Sequence, residues 1–140
     1  MPQPRAPATG ATLPSGLRAV LAVQGLVMVG VGVALFVAPT DADSLWPWKL
    51  TPLTARAIGA FVTGFGAAAL HALIENRLER FEGAALAYTL LGVLELIGAG
   101  RYTETFDGDS VETCAYVAFL ASVVAVGLWG AVAVRARRPA

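Results

Sequence analysis

Four long runs of apolar residues, separated by short polar stretches, organise this chain. They cover residues 19–38, 53–74, 83–100 and 113–134. A helix needs about 20 apolar residues to cross ~30 Å of hydrocarbon, so each run suffices for one crossing. Barrel strands read instead as alternating segments of ~10 residues. The abundant valine does not argue for sheet, because a spanning backbone must satisfy its own hydrogen bonds. The pattern predicts an all-α polytopic membrane protein, a four-transmembrane-helix bundle over residues 17–135. Residues 1–16, rich in Pro, Ala, Thr and Gly, read as a disordered cytoplasmic tail, and residues 136–140 as a short basic one. The first run exceeds the 7–15 residues of a signal-peptide core and no small-x-small site follows it, so it reads as a retained span.

The boundaries carry helix-end chemistry. Thr51 before Pro52 reads as an N-cap with proline in the first helical position, where its missing N–H costs nothing. Asp109 with Glu112 reads as a capping-box variant opening the fourth helix. Pro39 stops the first helix. The stretch from Glu75 to Glu82 has no Gly or Pro, so helix is expected to run on there before a tight turn near Gly83.

Composition sharpens the picture. Of 140 residues, 56% are hydrophobic and 14% are charged, against roughly 25% charged in a soluble domain. A soluble fold of this size would leave too much apolar surface uncovered. Ten basic and ten acidic residues cancel, so no net field recruits nucleic acid. One cysteine, Cys114, and one histidine, His71, leave no disulfide, zinc cluster or bis-histidine haem site. No phosphate-binding glycine loop or nucleophile elbow occurs. No metal, cofactor or enzymatic activity is expected.

Charge placement predicts orientation through the positive-inside rule. Arg5, Arg18, Arg77, Arg80, Arg135, Arg137 and Arg138 fall on one side. Lys49, Arg56 and Arg101 fall on the other, with Asp41, Asp43, Glu104, Asp107, Asp109 and Glu112. Seven against three places both termini in the cytoplasm of a multi-pass plasma-membrane protein. Trp46, Trp48, Tyr102 and Tyr116 then anchor the outer interface, and Trp129 and Phe81 the inner one.

Polar residues inside the spans are the candidates for function. Glu95 lies in the third span, roughly 7 Å from its outer end by helical rise. A carboxylate at that depth costs a few kcal/mol unless paired, protonated or wetted. Its helical face includes Tyr88, Gly92, Gly98, Ala99 and Tyr102. Arg56, at similar depth in the second span, is its expected ion-pair partner: a structural pin, or the coupling group of a proton- or cation-driven site. Further in, Gln24 of the first span is expected to hydrogen-bond to His71 of the second. Two rows of small residues, Cys114–Ala118–Ser122–Gly130 and Ala60–Gly64–Ala68, read as seams for bundle packing, the alternative being a homodimer contact.

The first outer loop holds three prolines and the triplet Trp46-Pro47-Trp48, too ordered a composition for a slack linker. It reads as an aromatic anchor, or as a lid or partner-docking surface. Trp46-Pro47-Trp48 and Leu50-Thr51-Pro52-Leu53-Thr54-Ala55-Arg56, continuing through Ala57-Ile58-Gly59-Ala60 with Gly64 and Gly66, resemble a motif of small four-span membrane proteins of high-GC bacteria that have no assigned activity. The resemblance covers about thirty residues and implies the four-span fold and the membrane location alone.

The sequence thus favours a structural, accessory or partner-binding protein of the bilayer without catalytic activity, acting as a homodimer or with a membrane-protein partner. The alternative is a small dimeric proton- or cation-coupled transporter using Glu95. Small multidrug exporters are also four-span with a membrane glutamate, but theirs lies in the first span, where this chain has only Gln24.

Overall fold

The computed structural model describes residues 10–106 and 110–136. Its elements are α1 (Ser15–Val37), a 3₁₀ turn (Ala42–Leu45), α2 (Pro52–Glu75), a second 3₁₀ turn (Leu78–Arg80), α3 (Phe81–Arg101), a third (Thr103–Thr105) and α4 (Val111–Arg135). All four α-helices are long and apolar enough to cross a membrane. Among the described residues there is no strand. The fold is an all-α membrane bundle, as the hydropathy pattern predicts.

Local chemistry explains most helix ends. The Thr51 hydroxyl accepts from the Thr54 N–H at 3.2 Å, with Pro52 opening α2. At α4 the cap is Ser110, whose hydroxyl accepts from the Thr113 N–H at 3.1 Å; Asp109, the expected cap, lies outside the described residues. The expected helix through residues 75–82 breaks instead at Asn76, which adopts the left-handed conformation with φ 47°. Asparagine tolerates that geometry better than other side chains that carry a Cβ. A 3₁₀ turn follows, and α3 begins at Phe81, ahead of Gly83.

Asn76 also ties down the N-terminal segment. Its Oδ1 accepts from the Leu13 N–H at 3.3 Å, and the Leu78 N–H donates to the Ala11 carbonyl at 2.8 Å. Leu13 and Leu17 are buried beside Leu78 and Phe81. The tail expected over residues 1–16 is therefore docked from residue 10 onward. Residues 1–9, and 137–140 of the basic tail, lie outside the described residues.

The interior follows an alternating spacing of four and three. Buried positions are Leu17, Leu21, Gln24, Met28 and Leu35 on α1; Ala55, Gly59, Gly66 and Ala69 on α2; Phe81, Ala85, Tyr88 and Gly92 on α3. On α4, Thr113, Leu120, Gly127 and Val134 repeat every seven residues. This is the seam of left-handed, near-antiparallel helix packing. The outward faces carry Val23, Leu26, Leu53, Phe61, Ile74, Leu94 and Val132. Large apolar residues occur on both faces, and the glycines among the buried positions let backbones approach closely, as expected where lipid replaces water and close approach replaces the hydrophobic effect as the driving force.

Most helix–helix contact falls within two hairpins, α1 with α2 and α3 with α4. In the first, backbones touch at two glycine pairs. A Cβ on Gly59 would lie 2.6 Å from the Gly32 carbonyl oxygen, and one on Gly66 2.8 Å from that of Gly25. In the second, a Cβ on Gly127 would lie 2.8 Å from the Ala85 carbonyl. The two seams share a device: Thr63 beside Gly32 and Thr89 beside Gly127 each donate to the carbonyl four residues back, Gly59 and Ala85, at 2.7 and 2.9 Å. Each hydroxyl is thus satisfied within its own helix, at the closest point of the seam.

Polar and aromatic contacts join the hairpins. Gln24 Nε2 of α1 donates to the Ser122 hydroxyl of α4 at 2.8 Å, and Ser122 donates on to the Phe119 carbonyl at 2.6 Å. The Tyr88 hydroxyl of α3 approaches Met28 Sδ of α1 at 3.6 Å, and its ring meets Phe65 of α2 edge-on at 6.4 Å. The expected Gln24–His71 bond does not form. Gln24 is on the buried face of α1, whereas His71 points outward with Glu75, one turn along α2, at 4.0 Å. Glu75 in turn pairs with Arg80 at 2.6 Å. Phe81, expected at the inner interface, is buried against Gly130 instead. Trp129 does remain half-exposed.

Candidate functional site

The α1–α2 and α3–α4 loops meet at one end of the bundle and are welded by aromatic rings. Trp46 packs over the Leu35, Ala42 and Ala55 cluster that closes the first hairpin. Pro47 turns the chain so that Trp48 meets Trp46 edge-on at 5.4 Å. Both indoles contact Tyr116 of α4 at 5.5 Å. Trp48 also meets Phe106 of the second loop at 5.3 Å, and Phe106 stacks on Tyr116 at 6.3 Å. Edge-on pairs of this kind each add about 0.5–1.5 kcal/mol beyond area burial. The Trp46 indole N–H is buried without an acceptor among the described residues. The triplet is therefore an ordered bridge between the hairpins, and its three residues are half-buried rather than free.

Glu95 joins this cluster. Its Oε2 accepts from the Tyr116 hydroxyl at 2.8 Å, across the α3–α4 seam. The sequence-level expectation of an Arg56–Glu95 ion pair is corrected. Arg56 follows the buried Ala55 and so falls on the exposed side of α2. α3 packs along α4, so the side chains nearest Glu95 come from α4 and not from α2. Among the described residues no lysine or arginine forms an ion pair with Glu95.

The face of α3 reasoned from helical spacing splits in two. Tyr88 and Gly92 are buried in the bundle. Gly98, Ala99 and Tyr102, at three, four and seven residues beyond Glu95, line a cavity of about 280 Å³. Trp48, Thr105, Phe106 and Tyr116 complete the wall. The small side chains on α3 leave the space that the rings and the carboxylate surround. Trp48 was recognisable in the sequence as an interface residue; Phe106 was not, because a lone phenylalanine in a short loop carries no pattern.

The rows of small residues separate as well. Ala60, Gly64 and Ala68 lie outside the bundle, where with Phe61 and Phe65 they line an open groove of about 390 Å³. The seam itself uses Gly59 and Gly66, one and two positions away. In the other row, Ser122 and Gly130 pack inward while Cys114 and Ala118 are exposed.

Among the described residues, no group of three or more His, Cys, Asp or Glu side chains could hold a metal ion. At the cavity wall a carboxylate, two phenols, an indole and a phenyl ring converge. No family model, curated protein or solved structure matches the chain.

Proposed function

We propose that this chain is a non-catalytic accessory protein of the membrane, which engages a partner through the loop end of its bundle. The observation that carries this reading is the ring cluster that holds the Trp46-Pro47-Trp48 bridge against Phe106 and Tyr116. Ordering two loops costs conformational entropy, and aromatic side chains presented on an ordered frame are the usual anchors of recognition. The charge distribution supports a plasma-membrane setting with both termini in the cytoplasm and this end outside.

The test is native mass spectrometry after gentle extraction from the native membrane, on wild type and on a folded Trp46→Ala/Trp48→Ala variant. A stoichiometric companion present with wild type and lost from the variant supports the reading. A companion retained by the variant, or a bare monomer from both, overturns it.

A second reading is favoured by one observation, a carboxylate at a cavity wall with no basic partner among the described residues. In that reading Glu95 is the coupling group of a dimeric proton- or cation-driven transporter. Solute flux that is lost in a folded Glu95→Gln variant would select it.

A further inference from the structure

The cavity beside Glu95 has a composition that specifies a ligand class. One wall is a carboxylate whose hydrogen-bond donor, among the described residues, is the neutral Tyr116 hydroxyl at 2.8 Å. No described basic side chain neutralises it. Around it stand Trp48, Tyr102, Phe106 and Tyr116, from the two loops and α4. Aromatic rings attract cations through their quadrupole, and do so most strongly for poorly hydrated ones such as quaternary ammonium groups. A carboxylate among rings therefore favours a positively charged group that also carries apolar surface.

We propose that this cavity is a binding site for an alkylammonium group. Its volume of about 280 Å³ suits a headgroup-sized cation. Anions and neutral polar solutes are disfavoured by the carboxylate and the rings. The depth agrees as well: Glu95 lies six residues before the end of α3 at Arg101, or about 9 Å along the helix axis. The loop residues Trp48, Thr105 and Phe106 carry the cavity wall from there towards the headgroup level, where an ammonium of a lipid or of an amphipathic solute resides. Six acidic against three basic residues around the same loops add a long-range attraction for cations. A lipid headgroup and a free organic cation share this chemistry. The site shares Trp48, Phe106 and Tyr116 with the surface of the accessory reading, but a titration of the isolated chain tests it with no protein partner present, so the two can fail separately.

The experiment is a titration of the purified full chain in a non-ionic detergent, in a Trp129→Phe background so that emission comes from Trp46 and Trp48. The probes are choline and its neutral isostere 3,3-dimethylbutan-1-ol. A saturable change with choline, and a response at least about tenfold weaker with the isostere, is expected. Glu95→Gln should weaken choline binding by about tenfold or more, because it removes the one charged side chain at the wall among the described residues. Trp48→Phe, which keeps a ring, should stay within about fivefold of wild type, whereas Trp48→Ala should not. Equal responses to choline and the isostere, or an unchanged affinity in Glu95→Gln, would overturn the proposal. Where Glu95→Gln fails to fold, the comparison of the two probes on wild type decides alone. Nanodiscs at high salt, which screens the surface potential of the anionic lipid, separate the sources: choline affinity lower in phosphatidylcholine than in phosphatidylglycerol discs identifies a lipid headgroup as occupant, and equal affinity a free cation.

Discussion

The Tyr116 hydroxyl donates to the Glu95 carboxylate at 2.8 Å, across the seam between α3 and α4. This single contact gives the in-membrane acid a neutral partner, orients it along the cavity wall, and links the second hairpin to the tryptophan bridge that Tyr116 also touches. Removing either group should be felt by the other. Tyr116→Phe and Glu95→Gln are each expected to lower unfolding free energy, with a coupling of about 0.6–2 kcal/mol in a double-mutant cycle. Strict additivity, measured by chemical unfolding in detergent, would show that the bond contributes nothing.

The first hairpin closes on glycines, and neighbouring glycines of α2 should differ sharply on substitution. Gly59→Leu places side-chain atoms where the Gly32 carbonyl stands, and is expected to prevent folding or cost more than about 3 kcal/mol. Gly64→Leu has no atom within 4 Å of its Cβ position and should change stability by less than about 0.5 kcal/mol. Thermal melting of the two variants side by side checks this, and equal destabilisation would contradict the assigned seam.

Gln24 and Ser122 are the polar link between the hairpins. Ser122→Ala leaves a buried amide without its acceptor and should cost about 0.6–2 kcal/mol. His71→Ala, on an exposed side chain at the rim of α2, should stay within about 0.5 kcal/mol of wild type. A larger loss at His71 than at Ser122 would reverse this assignment of roles.

Orientation can be read from the native cysteine. Cys114 is exposed in the first turn of α4, at the end that carries the two tryptophans. With both termini inside, a membrane-impermeant maleimide should label Cys114 in intact cells. Labelling that appears only after permeabilisation would invert the proposed topology.

How much of this was legible beforehand varies by element. The four spans, the Thr51–Pro52 start of α2 and the break before Pro39 depend on local chemistry and long apolar runs, and the sequence displays both. The placement of Glu95 on one face with Gly98, Ala99 and Tyr102 follows from helical geometry alone. Its partner did not follow. Depth along a helix is set by counting residues, but azimuth and neighbours are set by packing, so a similar depth does not make Arg56 the partner, and packing brings Tyr116 there instead.

The chain by itself determined the number and length of its crossings, because the bilayer imposes both through the energetics of apolar transfer and backbone satisfaction. It also determined its charge asymmetry and its stock of small residues. Tertiary structure alone decided which of those residues face inward. In a helix that is apolar all round, the lipid side and the protein side have the same hydropathy, so Gly64 and Gly66 look alike until α1 is laid against α2. Only then does Gly66 become seam and Gly64 surface, Gln24 turn from His71 to Ser122, and Glu95 find its phenol.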